Sequence, residues 1–161
     1  MDPIEARLAA LGLTLPANPI LPQGVVLPFA WVRVHDNRAF ISGHGALDPS
    51  GRLAEPRGRV GAEISPEQAT IAARLTALAM LASLKRTLGS LDRVAAWLRV
   101  FGMVNTAPGF DRYPAVINGF SDLIIELYGP ERGNHARSAV GLAGLPFNLT
   151  VEIEAEVAIT S

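Results

Sequence analysis

No cysteine occurs in the chain, so disulfide staples and thiolate nucleophiles are both excluded. Lysine is almost as scarce. Lys85 stands alone beside thirteen arginines, and acidic residues bring the net charge to -1. In a chain this rich in alanine, the arginine bias reads as GC-rich coding rather than as a nucleic-acid surface. The densest basic patch, Arg52, Arg57 and Arg59, falls in a Gly/Pro-rich loop and reads as a solvated loop. Long hydrophobic runs are missing as well. The most apolar stretch, residues 71–84, is interrupted by Arg74 and falls short of the roughly 20 apolar residues that cross a bilayer. The first residues carry Asp2, Glu5 and Arg7 and no apolar core of a secretory signal, so the expected location is the cytoplasm. There the glycosylation acceptor Asn148-Leu149-Thr150 is idle.

Catalytic signatures are sparse. Of the three histidines, His35, His44 and His135, no two have metal-ligand spacing on one face, and no metal or cofactor is expected. Glu131 precedes His135 by four residues, but Pro130 and Gly133 make that stretch a loop. His44 and His135 are expected in loops, at the surface or bordering a pocket. Gly43-His44-Gly45 is a fragment of a dinucleotide fingerprint without its third glycine, and there is no phosphate loop and no serine elbow. Ser42 is the one modest candidate for a nucleophile.

What is abundant is apolar surface. Hydrophobic residues make up 49% of the chain and charged ones only 18%, with mean hydropathy +0.27. That surplus implies that other subunits cover part of the surface. A chain of 161 residues fits one domain, 1–161, able to bury roughly 70% of its unfolded surface.

Periodicity gives the elements. Residues 3–12 read as a short helix with Ile4, Leu8 and Leu11 on one stripe, stopped by Gly12. A Pro-rich extended passage follows. Residues 31–35 and 38–42 read as two strands joined by a tight turn at Asp36-Asn37, and Gly43-His44-Gly45 ends the second. Ser65, Pro66 and Gln68 form a capping box that opens a long helix running to Leu88 and Gly89. Its apolar stripe is Ile71, Leu75, Leu78 and Ala82. Residues 93–104 read as a strand. A second long helix runs from about Asp111 to Gly129-Pro130, with Tyr113, Val116, Ile117, Phe120, Ile124 and Leu127 on its stripe. Two strands close the chain, 137–142 and 151–159. In the last, Val151, Ile153, Ala155, Val157 and Ile159 alternate with Glu152, Glu154 and Glu156. The order describes an α+β sheet backed by helices.

In the C-terminal block, Arg137 starts a strand of small residues. A guanidinium fork beside open backbone N–H groups suits a substrate carboxylate. An Arg–Glu ion pair on adjacent strands is the competing reading, and the three glutamates face solvent by default. If the two strands form a hairpin turning near Pro146-Phe147, Arg137 lies opposite residue 156 and Glu152 is about 13 Å along the ladder. Within one chain the two would not touch, and a shared site would need a neighbouring subunit.

The run Arg137-Ser138-Ala139-Val140, then Leu145-Pro146, then Val151-Glu152-Ile153-Glu154-Ala155 resembles the signature of the Rid family. These are reactive intermediate deaminases, also called YjgF-like or endoribonuclease L-PSP. Pro28-Phe29 followed by Ile41-Ser42-Gly43, and residues 95–104 followed by Asn118-Gly119-Phe120, resemble its earlier segments in order. The resemblance covers roughly residues 24–159. The N-terminal helix, with the Pro-rich extension to residue 23, and the insertion 129–135 resemble a longer subgroup. The resemblance implies a chorismate-mutase-like homotrimer with clefts between subunits. It implies hydrolysis of enamines or imines such as 2-aminoacrylate to 2-keto acids and ammonia, a metabolite damage-control reaction.

Carried over by position, Arg137 would bind the substrate carboxylate, with backbone groups at Gly43 and Ala139 assisting. Glu152 would hold the attacking water. Ser42, Phe29 and Asn118 would line the pocket. Phe29 stands where many active members carry tyrosine, so the aromatic wall remains and the phenol is lost. Two other readings stay open: a non-catalytic trimer binding a small carboxylate or keto acid, and a ribonuclease. Against the last stand the near-neutral charge and the lack of a basic stripe.

Overall fold

The computed structural model describes residues 2–161. Its five strands are β1 (Val32–His35), β2 (Arg38–His44), β3 (Val94–Asn105), β4 (Ala136–Leu142) and β5 (Val151–Ile159). The helices are α1 (Pro3–Ala10), α2 (Pro66–Leu88) and α3 (Tyr113–Gly133). The strands lie in the order β1-β2-β5-β3-β4; β3 and β4 are parallel and every other pair is antiparallel. This is the expected α+β arrangement, a mixed sheet with two long helices on one face. Among the described residues no helix is long and apolar enough to cross a membrane.

The local reasons are those of the sequence. Ser65 Oγ accepts from the Gln68 backbone N–H at 3.1 Å while Gln68 Oε1 accepts from the Ser65 N–H at 2.9 Å. That reciprocal pair satisfies two otherwise orphaned donors at the α2 N-terminus. Gly89 ends α2 in the left-handed region, φ 82°. The body of α3 ends where expected: Gly129 (φ 75°, ψ 169°) breaks the helix, and a further turn follows to Gly133.

Two stripes are only partly as expected. On α2, Leu78 and Ala82 of the expected stripe are buried, but Ile71 is 60% exposed, and Ala69, Ala73, Ala77, Met80, Leu81 and Leu84 make up the rest of the buried face. Small residues win because α3 approaches closely. A Cβ on Gly119 would stand 2.2 Å from the Thr70 carbonyl oxygen, so only glycine permits this crossing. On α1, Ile4 and Leu8 are buried but Leu11 is exposed past the helix end.

The closing hairpin does not form. β4 and β5 both pair with β3, which lies between them. The core side chains of the five strands converge under α2 and α3, with Trp97, Phe120, Leu81, Leu84 and Ile124 buried. No helix covers the opposite face, which carries Phe40, Phe101, Met103 and Val140 among Arg33, Arg99, Glu154 and Glu156.

Candidate functional site

β2 does not stop at Ser42. It continues to His44 through a bulge: Ile41 pairs with Ala155 and His44 with Ile153, so three steps on β2 match two on β5. The extra residue returns His44 to the core side beside Ile41. His44 is therefore a buried strand residue at 2% exposure, and the expectation of a loop is corrected. Its Nδ1 lies 2.6 Å from the Ser42 carbonyl and its Nε2 2.9 Å from Ser83 Oγ on α2. A carbonyl only accepts, so Nδ1 carries the hydrogen and Nε2 accepts from the serine hydroxyl. Arg86 in turn donates to Ser83 Oγ at 2.9 Å. Burial, reinforced by the nearby Arg86 charge, lowers the His44 pKa to about 4, and the ring is neutral.

The bulge places Gly43 against Glu152. A Cβ on Gly43 would come within 2.1 Å of Glu152 Oε1, so the carboxylate rests on bare backbone. Among the described residues nothing donates a hydrogen bond to this carboxylate, and no cation pairs with it. Burial, with Glu154 nearby, pushes its pKa up. It borders a cleft of about 320 Å³ that Phe29, Trp31, Gly43 and His44 also line. Ser42 lies just outside: its hydroxyl donates to the Ala30 carbonyl at 2.7 Å and ties the segment carrying Phe29 to β2.

Arg137 forms a second centre. On β4 it is in register with Val100 on β3, and its side chain turns to α3. Nη1 donates to Asn118 Oδ1 at 2.9 Å and Ser121 Oγ at 3.1 Å, and Nη2 donates to the Pro114 carbonyl at 3.3 Å. His135 completes the set: its Nδ1 donates to the Gly133 carbonyl at 2.7 Å, and its Nε2 accepts from Ser121 Oγ at 2.9 Å. Burial, and then the Arg137 charge, lower the His135 pKa. Every acceptor on Arg137 is neutral. A guanidinium has five N–H bonds, so these three contacts leave two for a ligand. Ala139 sits one pleat further along the same face, opposite Gly102.

The chain thus groups Phe29, Gly43 and Glu152 at one cleft and Arg137, Asn118 and Ala139 at another place. Arg137 registers through Val100 with Ala155, three residues from Glu152 and two strands away. That is roughly 14 Å between backbones. The two side chains also lie on opposite faces, since Glu152 alternates with buried Val151 and Ile153. They are apart within one chain, as expected, but the cause is an intervening strand rather than a slipped hairpin.

Sequence reasoning missed Trp31, whose ring lies 4.9 Å from that of His44, and the contribution of Ser83 and Ser121. Trp31 alternates with Phe29 across Ala30, a period-two signal that could have marked it. The serines carry no signal before helices and strands are packed.

The model of the family described as YjgF/chorismate_mutase-like, putative endoribonuclease matches residues 5–153. Protein TCP17 of Trypanosoma cruzi is 35% identical over 144 residues, covering 86% of this chain and 90% of its own. The solved structure of protein Atu1372 from Agrobacterium tumefaciens, of unknown function, is 38% identical with TM-score 0.87. It matches 98% of this chain and 92% of that one. A putative endoribonuclease from Shewanella oneidensis MR-1 is 27% identical with TM-score 0.86, over 98% of this chain and all of that one.

Proposed function

The chain belongs to the YjgF/chorismate_mutase-like, putative endoribonuclease family, and from that premise we propose that it hydrolyses reactive 2-imino acids, in their enamine or imine forms, to 2-keto acids and ammonia. The observation that carries this reading is a pair of partly buried, oppositely charged groups, Arg137 and Glu152. Each is held on a strand, and among the described residues neither is in a salt bridge, the Asp122 charge acting on Arg137 only from a distance. The whole chain, 1–161, acts as one domain, and sites lie between subunits of a homotrimer. There Arg137 of one subunit meets the Glu152 cleft of the next. The uncovered sheet face and the apolar surplus support such self-association.

In the shared site Arg137 takes the substrate carboxylate through its two free N–H bonds, while Asn118, Ser121 and the Pro114 carbonyl hold the fork in place. The backbone at Ala139 assists. Glu152 holds a water against the imine carbon, with Gly43 leaving room for it. Its raised pKa makes it a better base than an exposed glutamate. Water adds to the C=N bond; the resulting carbinolamine then breaks its C–N bond, giving a carbonyl and ammonia. An enamine first tautomerises to the imine. Placement supplies most of what this undemanding reaction needs. No cofactor or metal enters the scheme, and the setting is cytoplasmic.

The test is ammonia release from imino acids generated in place by an amino-acid oxidase or a threonine dehydratase. Acceleration is expected with the natural chain and loss of it in Arg137→Ala and Glu152→Ala. Full activity in Arg137→Ala would place the site elsewhere. Phe29 favours a second reading, a trimer that binds keto acids without turning imines over. Saturable binding of 2-ketobutyrate with no ammonia release from any imino acid would establish that alternative.

A further inference from the structure

The cleft beside Glu152 is larger and more apolar than 2-aminoacrylate requires. Its volume is about 320 Å³, within the range that encloses drug-sized ligands. A three-carbon imino acid has a single methyl or methylene carbon to put into it. The walls are Ile20, Leu27, Phe29, Trp31, Leu47 and Leu53. Phe29 and Trp31 meet edge to face, with centroids 5.9 Å apart at 81°, and form an aromatic corner. Ile20 and Phe29 remain 54% and 52% exposed, so apolar surface in the cleft waits for a partner.

The outer wall is built, not accidental. The Pro-rich segment ahead of β1 is fastened by two backbone bonds, Ala17 N–H to the Pro49 carbonyl (3.1 Å) and Ile20 N–H to the Gly51 carbonyl (2.8 Å). Gly51, at φ 90°, lets that segment come in: a Cβ there would stand 2.1 Å from the Asn18 carbonyl oxygen. Asp48 Oδ1 fixes the turn by accepting from the Ser50 and Arg52 N–H groups at 2.8 and 3.1 Å. Polar chemistry in the cleft is confined to one side. The two nitrogens of His44 are already engaged, which leaves Glu152 as the acidic group facing in among the described residues.

We infer that this cleft receives a bulky apolar substituent, aromatic or branched aliphatic, so that the substrates are 2-imino acids of large apolar amino acids rather than of alanine or serine. The inference rests on the reading of the preceding section for the reacting group, and on the cleft alone for the substituent. The carboxylate of such a substrate lies toward Arg137 of the neighbouring subunit, its imine at Glu152, and its side chain against Phe29, Trp31 and Leu53.

Isothermal titration calorimetry with the product keto acids separates the two ideas, because it needs no turnover. Phenylpyruvate and 4-methyl-2-oxopentanoate should bind the purified full-length protein roughly 10- to 100-fold more tightly than pyruvate, the advantage of burying one large apolar side chain. Leu53→Trp, which fills the cleft, should bring the affinity ratio to within about threefold of unity, with Leu27→Trp as a second filling variant should the first not fold. The same preference should appear in ammonia release from phenylalanine- and leucine-derived imines over the alanine-derived one. Equal affinities for the three acids, no binding of any, or a preference untouched by both variants would overturn the inference. The last two outcomes include a cleft that seats another chain instead. Selective binding with no deamination of any imine would uphold the cleft and sink the catalytic reading. Deamination indifferent to side-chain size would do the reverse.

Discussion

Acidification should cost this protein stability through its buried histidine, His44. The folded chain holds its imidazole neutral, with a pKa of about 4 against 6.5 for the free side chain. Burial is the main cause. A proton on Nε2 would also lose the hydrogen bond accepted from Ser83 and point at the serine that Arg86 grips. Between pH 6.5 and 4 the unfolded chain binds a proton here that the folded chain does not, so stability falls as pH falls. At about 1.36 kcal/mol per pKa unit, the loss between pH 7 and pH 4.5 is about 2.5 kcal/mol from this group. His135, with its lowered pKa, pulls the same way, whereas Glu152, with its raised pKa, opposes it. The measurement is therefore a difference: urea unfolding of the natural chain and of His44→Gln, at fixed protein concentration, from pH 4.5 to 8. Glutamine keeps one donor for the Ser42 carbonyl and one acceptor for Ser83 but cannot titrate. The stability of the natural chain relative to the variant should drop by about 2.5 kcal/mol across that range. A difference that stayed flat within about 0.5 kcal/mol would mean that His44 takes its proton in the folded state, and the buried neutral ring would be refuted.

Two glycines make sharp tests of close approach. Gly43→Ala puts a methyl where Glu152 Oε1 now lies and pushes the carboxylate out of the cleft. Ammonia release should fall at least about tenfold, in line with the weight of one misplaced catalytic group, while thermal unfolding stays close to that of the natural chain. Gly119→Ala meets a main-chain carbonyl instead, at Thr70, and the helices must separate. Overpacking of about 1–3 kcal/mol outweighs the roughly 1 kcal/mol gained in helix propensity. Denaturant titration should show a net loss, and a more stable variant would contradict the crossing geometry.

Local rules carried much of the fold. The capping box at Ser65, the left-handed stop at Gly89, the break at Gly129 and the alternation of β5 depend on neighbours within a few residues, and the chain spells them out. The family was legible too: the motif that begins at Arg137 resembles its signature, and the family model matches residues 5–153. Tertiary structure decided what depends on partners distant in sequence. Strand order put β3 between β4 and β5: the α3 crossover lays β4 parallel to β3, and β3, paired on both sides, buries Val94, Trp97, Val100 and Val104 under the helices. The bulge at Ser42-Gly43 turned His44 from an expected loop residue into a buried one, since the register of β5 sets which face each β2 residue meets. The cleft follows from the same cause. Its walls come from segments of residues 19–31, 43–53 and 146–152, which no periodicity links, and only packing brings Leu27, Leu53 and Glu152 around one space.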